Sequence, residues 1–216
     1  MILLNKVSKV YRTWGRRTVV LDEVSVALDI NKSYGVLGAN GAGKSTLLRL
    51  IAGTELPTSG KVERRGRISW PLGFAGGFHP KMTGRENIVF VSRAYGADMR
   101  STVSFVDDFS ELGSFLDAPV RTYSSGMQAR LAFGLSMAFD FDCYLVDEIT
   151  AVGDARFQAR CAQAFDERSK RSGMIMVSHS IGTIKQYCHH GIVMYNKKLT
   201  IFEYVDEAIE FYKTQV

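Results

Sequence analysis

The sequence predicts an α/β fold with a mostly parallel sheet, and two observations carry that prediction. Short apolar runs of strand length lie at residues 143–146, 174–177 and 192–195, and the first two are separated by a helical stretch over about 155–170. Such β-α-β alternation implies parallel strands. Earlier in the chain, the apolar run Ser33–Leu37 leads through a Gly-rich turn into a helix over Lys44–Ala52. That is the strand, loop and helix order of a second unit of the same kind.

The elements follow from local pattern. Residues 2–10 and 19–30 are rich in Val, Ile and Leu, and Val24, Val26, Leu28 and Ile30 share one face of the second run. Alternation of this sort marks a half-buried strand. In the helix over Lys44–Ala52, Leu47, Leu48 and Ile51 are expected to face inward. Residues 57–79 are Gly-rich and read as strands and loops. Helical pattern begins at Thr83, where Thr83-Gly84-Arg85-Glu86 matches a capping box. It continues to about Leu116 with breaks near Gly96 and Gly113, and a second capped helix is expected from Ser124 to Phe139. Near the end, Tyr195-Asn196-Lys197-Lys198-Leu199 reads as a hairpin turn, and residues 205–213 as an amphipathic helix.

Composition narrows the function classes. A chain of 216 residues, 46% hydrophobic and 23% charged, suits one α/β domain with a substantial core. The net charge of +5 is spread over small groups such as Arg12, Arg16 and Arg17, or Arg64, Arg65 and Arg67. Groups like these form a solvated face or attract an anionic membrane surface or nucleotide phosphates. No nucleic-acid motif accompanies them, so no nucleic acid is expected as a partner. Cys143, Cys161 and Cys188 lack metal-ligand spacing, and an odd count without a secretory signal points to reduced thiols. No window reaches the ~18 apolar residues of a membrane helix. If the chain serves a membrane, another chain is expected to supply the span.

The strongest motif is Gly38-Ala39-Asn40-Gly41-Ala42-Gly43-Lys44-Ser45, which fits G-x-x-x-x-G-K-[ST]. Glycines let the backbone wrap closely so that successive N–H groups aim at phosphate oxygens. The helix N-terminus adds partial positive charge. Lys44 is expected to reach the β- and γ-phosphates of a nucleoside triphosphate and Ser45 to hold Mg²⁺. Gly38, Ala39, Asn40, Gly41, Ala42, Gly43, Lys44, Ser45 and Thr46 are thus the candidate nucleotide-binding residues.

A second motif supplies the acids. The apolar run Cys143-Tyr144-Leu145-Val146 ends in Asp147 and Glu148. Ligands of open α/β sheets sit at the carboxyl ends of strands, so Asp147 is expected to approach Mg²⁺. Glu148 is placed to orient and deprotonate an attacking water. His179, in Val177-Ser178-His179-Ser180, follows another buried strand and is expected to contact the γ-phosphate and steady the water or Glu148.

At this point the sequence resembles the ATP-binding cassette family. Tyr123-Ser124-Ser125-Gly126-Met127 lies upstream of the carboxylate strand, where that family carries Leu-Ser-Gly-Gly-Gln; Ser124 and Gly126 match, while Ser125 and Met127 depart. The resemblance covers the whole chain. It implies a P-loop NTPase (RecA-like) fold: a mostly parallel sheet with an antiparallel β subdomain and an inserted helical subdomain. Residues 1–216 would then form a single nucleotide-binding domain, with about 83–139 as the helical part. It implies that Tyr11 stacks on adenine and that Ser124 and Gly126 contact ATP held by the opposite subunit of a homodimer. It also implies that Ala151-Val152-Gly153-Asp154 touches the partner. The family usually has a Gln between cradle and signature that links Mg²⁺ to the membrane partner. This chain has none between Ser45 and Gly126, and His79, Phe74 or a neighbour occupies that loop.

The departures point to a cargo. The segment Ser69-Trp70-Pro71-Leu72-Gly73-Phe74-Ala75-Gly76-Gly77-Phe78, then Thr83-Gly84-Arg85-Glu86-Asn87, and Thr150-Ala151-Val152-Gly153-Asp154-Ala155-Arg156-Phe157 are similar to ATPases of bacterial polysaccharide exporters. Ser69-Trp70-Pro71-Leu72 is similar to the capsular branch. The resemblance implies an ATPase that exports lipid-linked capsular polysaccharide. It would sit on the cytoplasmic face of the bacterial inner membrane, two copies under two membrane-spanning permease subunits. O-antigen or teichoic-acid export, a soluble cassette ATPase and a nucleotide-binding regulator are the alternatives. The segment from Trp70 to Phe78 reads either as a plain surface loop or as an exposed apolar cluster that contacts a permease coupling helix, and the second reading is favoured.

Overall fold

The structure is a computed structural model that describes residues 1–13, 15–72, 77–147 and 154–215. The contacts divide it into two compact units. One comprises residues 1–71, 141–149 and 169–216, and the other 72–140 and 150–168.

The first unit holds two sheets. Strands β1 (Ile2–Thr13), β2 (Arg16–Leu28) and β4 (Ser59–Arg64) form an antiparallel sheet in the order β2-β1-β4. The second sheet has the order β5-β6-β7-β3-β8-β9. It is built from β5 (Ile68–Pro71), β6 (Cys143–Asp147), β7 (Gly173–Val177), β3 (Ser33–Leu37), β8 (His190–Tyr195) and β9 (Lys198–Phe202). All neighbours in it are parallel except β8 and β9. The central strands are apolar along their length because both faces are covered: β3, β6 and β7 are buried almost throughout. The β8–β9 hairpin turns at Asn196 and Lys197 with φ of 46° and 64°. Two successive left-handed residues are the requirement of a type I′ turn, which matches the twist of the strands.

Helix α1 (Lys44–Ala52) runs directly from the turn after β3, and its Leu47, Leu48, Leu50 and Ile51 are wholly buried in the core shared with Val36, Leu145, Ile175 and Ile192. The expected inward face is thus present, with Leu50 added to it. The C-terminal carbonyls of α1 are taken by Arg64 of β4, which donates to the oxygens of Leu50 and Ile51.

The second unit is helical: α2 (Gly84–Ala94), α3 (Met99–Ser110), α4 (Ser125–Met137) and α5 (Ala155–Ser169), with single 3-10 turns at Gly113–Asp117 and Val120–Thr122. Phe109 is its hub, stacked on Phe105 and Phe133 and edge-on to Phe157 at centroid distances of 5.7, 6.0 and 5.8 Å. Charge decorates that cluster. Arg130 lies 4.3 Å over the Phe157 ring and reaches Glu111 and Asp154.

Two expectations change. The Trp70–Phe78 segment, expected as an exposed apolar contact, begins inside strand β5. Ser69 is fully buried, its hydroxyl accepts from the Leu145 amide at 2.8 Å, and Trp70 packs edge-on against Phe141. The Trp70 side of the expected permease loop is therefore committed to the sheet, while Phe74 lies outside the described residues. The chain also contains a short helix after β7, Ile181–Tyr187 (α6), that periodicity did not reveal; a terminal helix, α7 (Val205–Gln215), completes the first unit.

Candidate active site

Strand β3 is clamped between β7 and β8 and delivers the chain to Gly38 at the carboxyl edge of the sheet. There it must turn sharply into α1. Gly43, the residue before the helix, has φ of 103°, which costs L-residues steric strain. A β-carbon there would also sit 2.1 Å from Val20 Cγ1. The first turn of α1 has no acidic residue, and no side chain caps it. Its N-terminal partial charge is therefore directed at whatever anion enters the loop.

The Lys44 ammonium folds back over this loop and donates to the carbonyls of Gly38 at 2.6 Å and Ala39 at 3.0 Å. Burial pushes its pKa down, and the Asp147 carboxylate pulls it back up. The charge is thus held beside an acid in a partly desolvated place, where phosphate oxygens would be strong partners.

One cavity of about 410 Å³ gathers Tyr11, Val20, Asn40, Gly41, Gly43, Lys44, Ser45, Thr46, Asp147, Val177 and His179. These residues come from β1, β2, the turn after β3, the first turn of α1, the end of β6, and the end of β7 with the segment that follows it. The strand order explains the meeting: β3, β7 and β6 are consecutive neighbours, so the chain segments leaving them share one edge. Asp147 is in register with Val177, two residues before His179. Gly38, Ala39 and Ala42 lie in the same turn without lining the cavity. Hydroxyl and carboxylate oxygens from Ser45 and Asp147 line one cavity, a hard donor pair that suits Mg²⁺ completed by phosphates and water. Glu148 and residues 150–153 lie outside the described residues.

Tyr11 is held more firmly than its sequence position suggested. Its hydroxyl donates to Glu55 at 2.6 Å and lies 3.3 Å from the Thr46 hydroxyl. Arg49 and Lys9 also reach Glu55, at 2.9 and 2.8 Å. Burial raises the Glu55 pKa, but hydrogen bonds from Lys9, Tyr11 and Arg49 outweigh it and hold the carboxyl at about 2. Sequence reasoning passed over Lys9, Val20, Arg49 and Glu55. Only the i, i+2 spacing of Lys9 and Tyr11 on one strand face hinted at the cluster.

Ser124 and Gly126 belong to the helical unit. Ser124 is exposed and caps α4, its hydroxyl accepting from the Met127 amide at 3.2 Å, and the first turn of α4 carries no acid. His79 sits on a loop pinned by buried Asn87, whose side chain accepts from the His79 amide at 2.8 Å and donates to the Thr83 carbonyl at 2.8 Å.

The three thiols are free and buried, each pushed up to about 12 by burial, which keeps them protonated and inert. Among the described residues no helix is long and apolar enough to cross a membrane.

The ABC transporter family profile matches residues 21–151. The chain is 49% identical to the polysialic acid transport ATP-binding protein KpsT of Escherichia coli, over 99% of this chain and 96% of that protein. It is 46% identical to the capsule polysaccharide export ATP-binding protein CtrD of Neisseria meningitidis, over 99% of each. The O-antigen export ATP-binding protein RfbB of Klebsiella pneumoniae is more distant, 38% identical over 92% of this chain and 82% of that one. Among solved structures, a dimeric ATP-binding cassette, MJ0796, in a post-hydrolysis state with ADP and Pi superposes with a TM-score of 0.73. That match is at 21% identity and covers 95% of this chain and 99% of that one, so it shows a shared fold.

Proposed function

The chain belongs to the ABC transporter family, and we propose that it is the ATP-hydrolysing subunit of a capsular polysaccharide exporter. The observation that carries this reading is the cavity that joins the phosphate cradle, Lys44, Asp147 and His179, in a chain nearly half identical to KpsT and CtrD over its whole length. Greater distance from RfbB weighs against O-antigen as the cargo.

The triphosphate of ATP would lie on the turn from Gly38 to Ser45, with Lys44 exchanging its carbonyl partners for phosphate oxygens. Tyr11 takes the adenine on its ring face. Ser45 and Asp147 would hold Mg²⁺, which when bound would supply positive charge to the developing phosphate oxygens. Glu148, one residue beyond Asp147, accepts a proton from the attacking water. His179 donates to or orients the γ-phosphate side of the site.

The homodimer completes the site. Ser124 at the tip of α4 presents a second uncharged helix N-terminus, suited to the γ-phosphate held by the opposite subunit. ATP adds contacts only in the closed pair, so it shifts the open–closed equilibrium by its differential affinity. Two permease subunits convert that cycle into movement of the lipid-linked polymer at the cytoplasmic face of the inner membrane.

The test is a deletion strain complemented with wild type or Glu148→Gln. Wild type is expected to restore surface capsule and to co-purify with a membrane-spanning partner. The variant is expected to bind ATP normally, to lose hydrolysis by about 10²–10⁴-fold, and to yield no capsule. Intact capsule with lost O-antigen in the deletion strain would transfer the reading to that cargo.

A further inference from the structure

Outside the phosphate cradle, the first unit holds a polar cluster around Glu55. Its carboxylate accepts from three directions: the Tyr11 hydroxyl at 2.6 Å, Lys9 Nζ at 2.8 Å and Arg49 Nε at 2.9 Å. Lys9 is fixed in turn by the Leu56 carbonyl at 2.8 Å, and Arg49 Nη2 by the Thr46 hydroxyl at 3.2 Å. Lys9 and Tyr11 project from one face of β1, Thr46 and Arg49 from one face of α1, and Glu55 from the turn that follows α1. The cluster therefore ties β1 to the helix that forms the cradle.

The consequence for Tyr11 is specific. Its hydroxyl donates to Glu55 and sits within reach of both Thr46 and Arg49 Nη2, the latter at 3.4 Å. The phenol oxygen thus has protein partners for donating and for accepting. Lys9 Nζ lies over the ring at 5.1 Å. What the ring offers the cavity is an aromatic surface in a fixed orientation.

We propose that Glu55 is a positioning residue of the nucleotide-base subsite: by holding the Tyr11 hydroxyl it sets the ring on which the base stacks. This rests on the reading that Tyr11 takes the base. A ring ordered before the ligand arrives loses less freedom on binding, so the tether raises affinity without touching the nucleotide. The effect is confined to ligands that carry a base. A bare triphosphate meets the cradle alone.

The experiment is calorimetric titration of the full chain with ATP and with inorganic tripolyphosphate, each with Mg²⁺. Glu55→Ala is expected to weaken ATP about five-fold while leaving tripolyphosphate within about two-fold. Glu55→Gln, which keeps an acceptor for the phenol, is expected to stay near wild type. Tyr11→Phe is expected to match Glu55→Ala, and combining the two to add nothing further, as for residues that act through one contact. Equal weakening of both ligands in Glu55→Ala would mark a merely structural role and overturn the proposal, as would unchanged ATP affinity. If Glu55→Ala does not fold, Tyr11→Phe decides, because it keeps the pairs of Glu55 with Lys9 and Arg49; unchanged ATP affinity there overturns the proposal. A wild type that binds ATP no more tightly than tripolyphosphate removes the base-stacking reading itself, and Glu55's role with it.

Discussion

Helices α1 and α2 begin in opposite ways. At the start of α2 the Thr83 hydroxyl accepts from the Glu86 amide at 3.1 Å, and the Glu86 carboxylate accepts from the Thr83 amide at 2.8 Å. That N-terminus answers its own unpaired donors and carries an acid against its own dipole. At the start of α1 there is a left-handed glycine, no capping side chain and no acid. A helix meant only to fold completes its end internally. A helix that binds an anion leaves that end for the ligand and relies on the core for stability, here through four wholly buried aliphatic residues. Helix α4 is intermediate: Ser124 caps it, yet it is exposed and has no acid in its first turn.

Substitution at each end tests this contrast. The largest effect is expected at α1: Lys44→Ala should lower ATP hydrolysis by about 10²-fold, through lost contacts to the developing phosphate charge, as read in a steady-state ATPase assay. Hydrolysis at the wild-type rate would break the contrast at its root. Thr83→Ala and Ser124→Ala come next and sharpen it together. Each removes one cap and should cost about 1 kcal/mol of stability, seen as a melting temperature lower by roughly 2–4 °C. Only Ser124→Ala should also reduce hydrolysis, and mixed dimers should show the loss in the site opposite the altered chain. Equal loss in both variants would make α4 another self-contained helix.

The smallest effect concerns pH. The Glu55 carboxyl titrates at about 2 in the folded chain, against 4.5 ordinarily. A depressed pKa means its ion pairs contribute fully above about pH 4.5 and fade as pH falls toward 2. The difference in urea midpoint between wild type and Glu55→Gln should therefore shrink from pH 6 to pH 3. A difference that stays constant or grows would show that the pairs with Lys9 and Arg49 do not stabilise the fold.

Much of this was readable in the sequence wherever the signal is local. The turn at residues 38–45, the capping box at Thr83 and the Ser124 cap each depend on residues within one turn of each other, so their spacing alone specifies the backbone. The β8–β9 hairpin at Asn196 and Lys197 is of the same kind. Where burial depends on distant partners, local pattern was less specific. Residues 57–79 read only as strands and loops, and Trp70 as the start of an exposed apolar cluster, yet Ser69 and Trp70 complete a sheet edge beside β6, more than seventy residues away in the chain.

The sequence by itself determined that a phosphate-binding turn exists, that an apolar strand ends in acids and that the α/β sheet is mostly parallel, because each is written in short-range periodicity and in residue types with few other uses. Tertiary structure alone decided which strands lie side by side, and so by what route Asp147 and His179, expected at the same phosphates as Lys44, come to share its cavity. It alone brought Glu55, Arg49 and Lys9 around the Tyr11 hydroxyl. Contacts between residues dozens of positions apart leave no spacing to read. They are fixed only when sheet order and the packing of α1 bring β1 and the turn after α1 together.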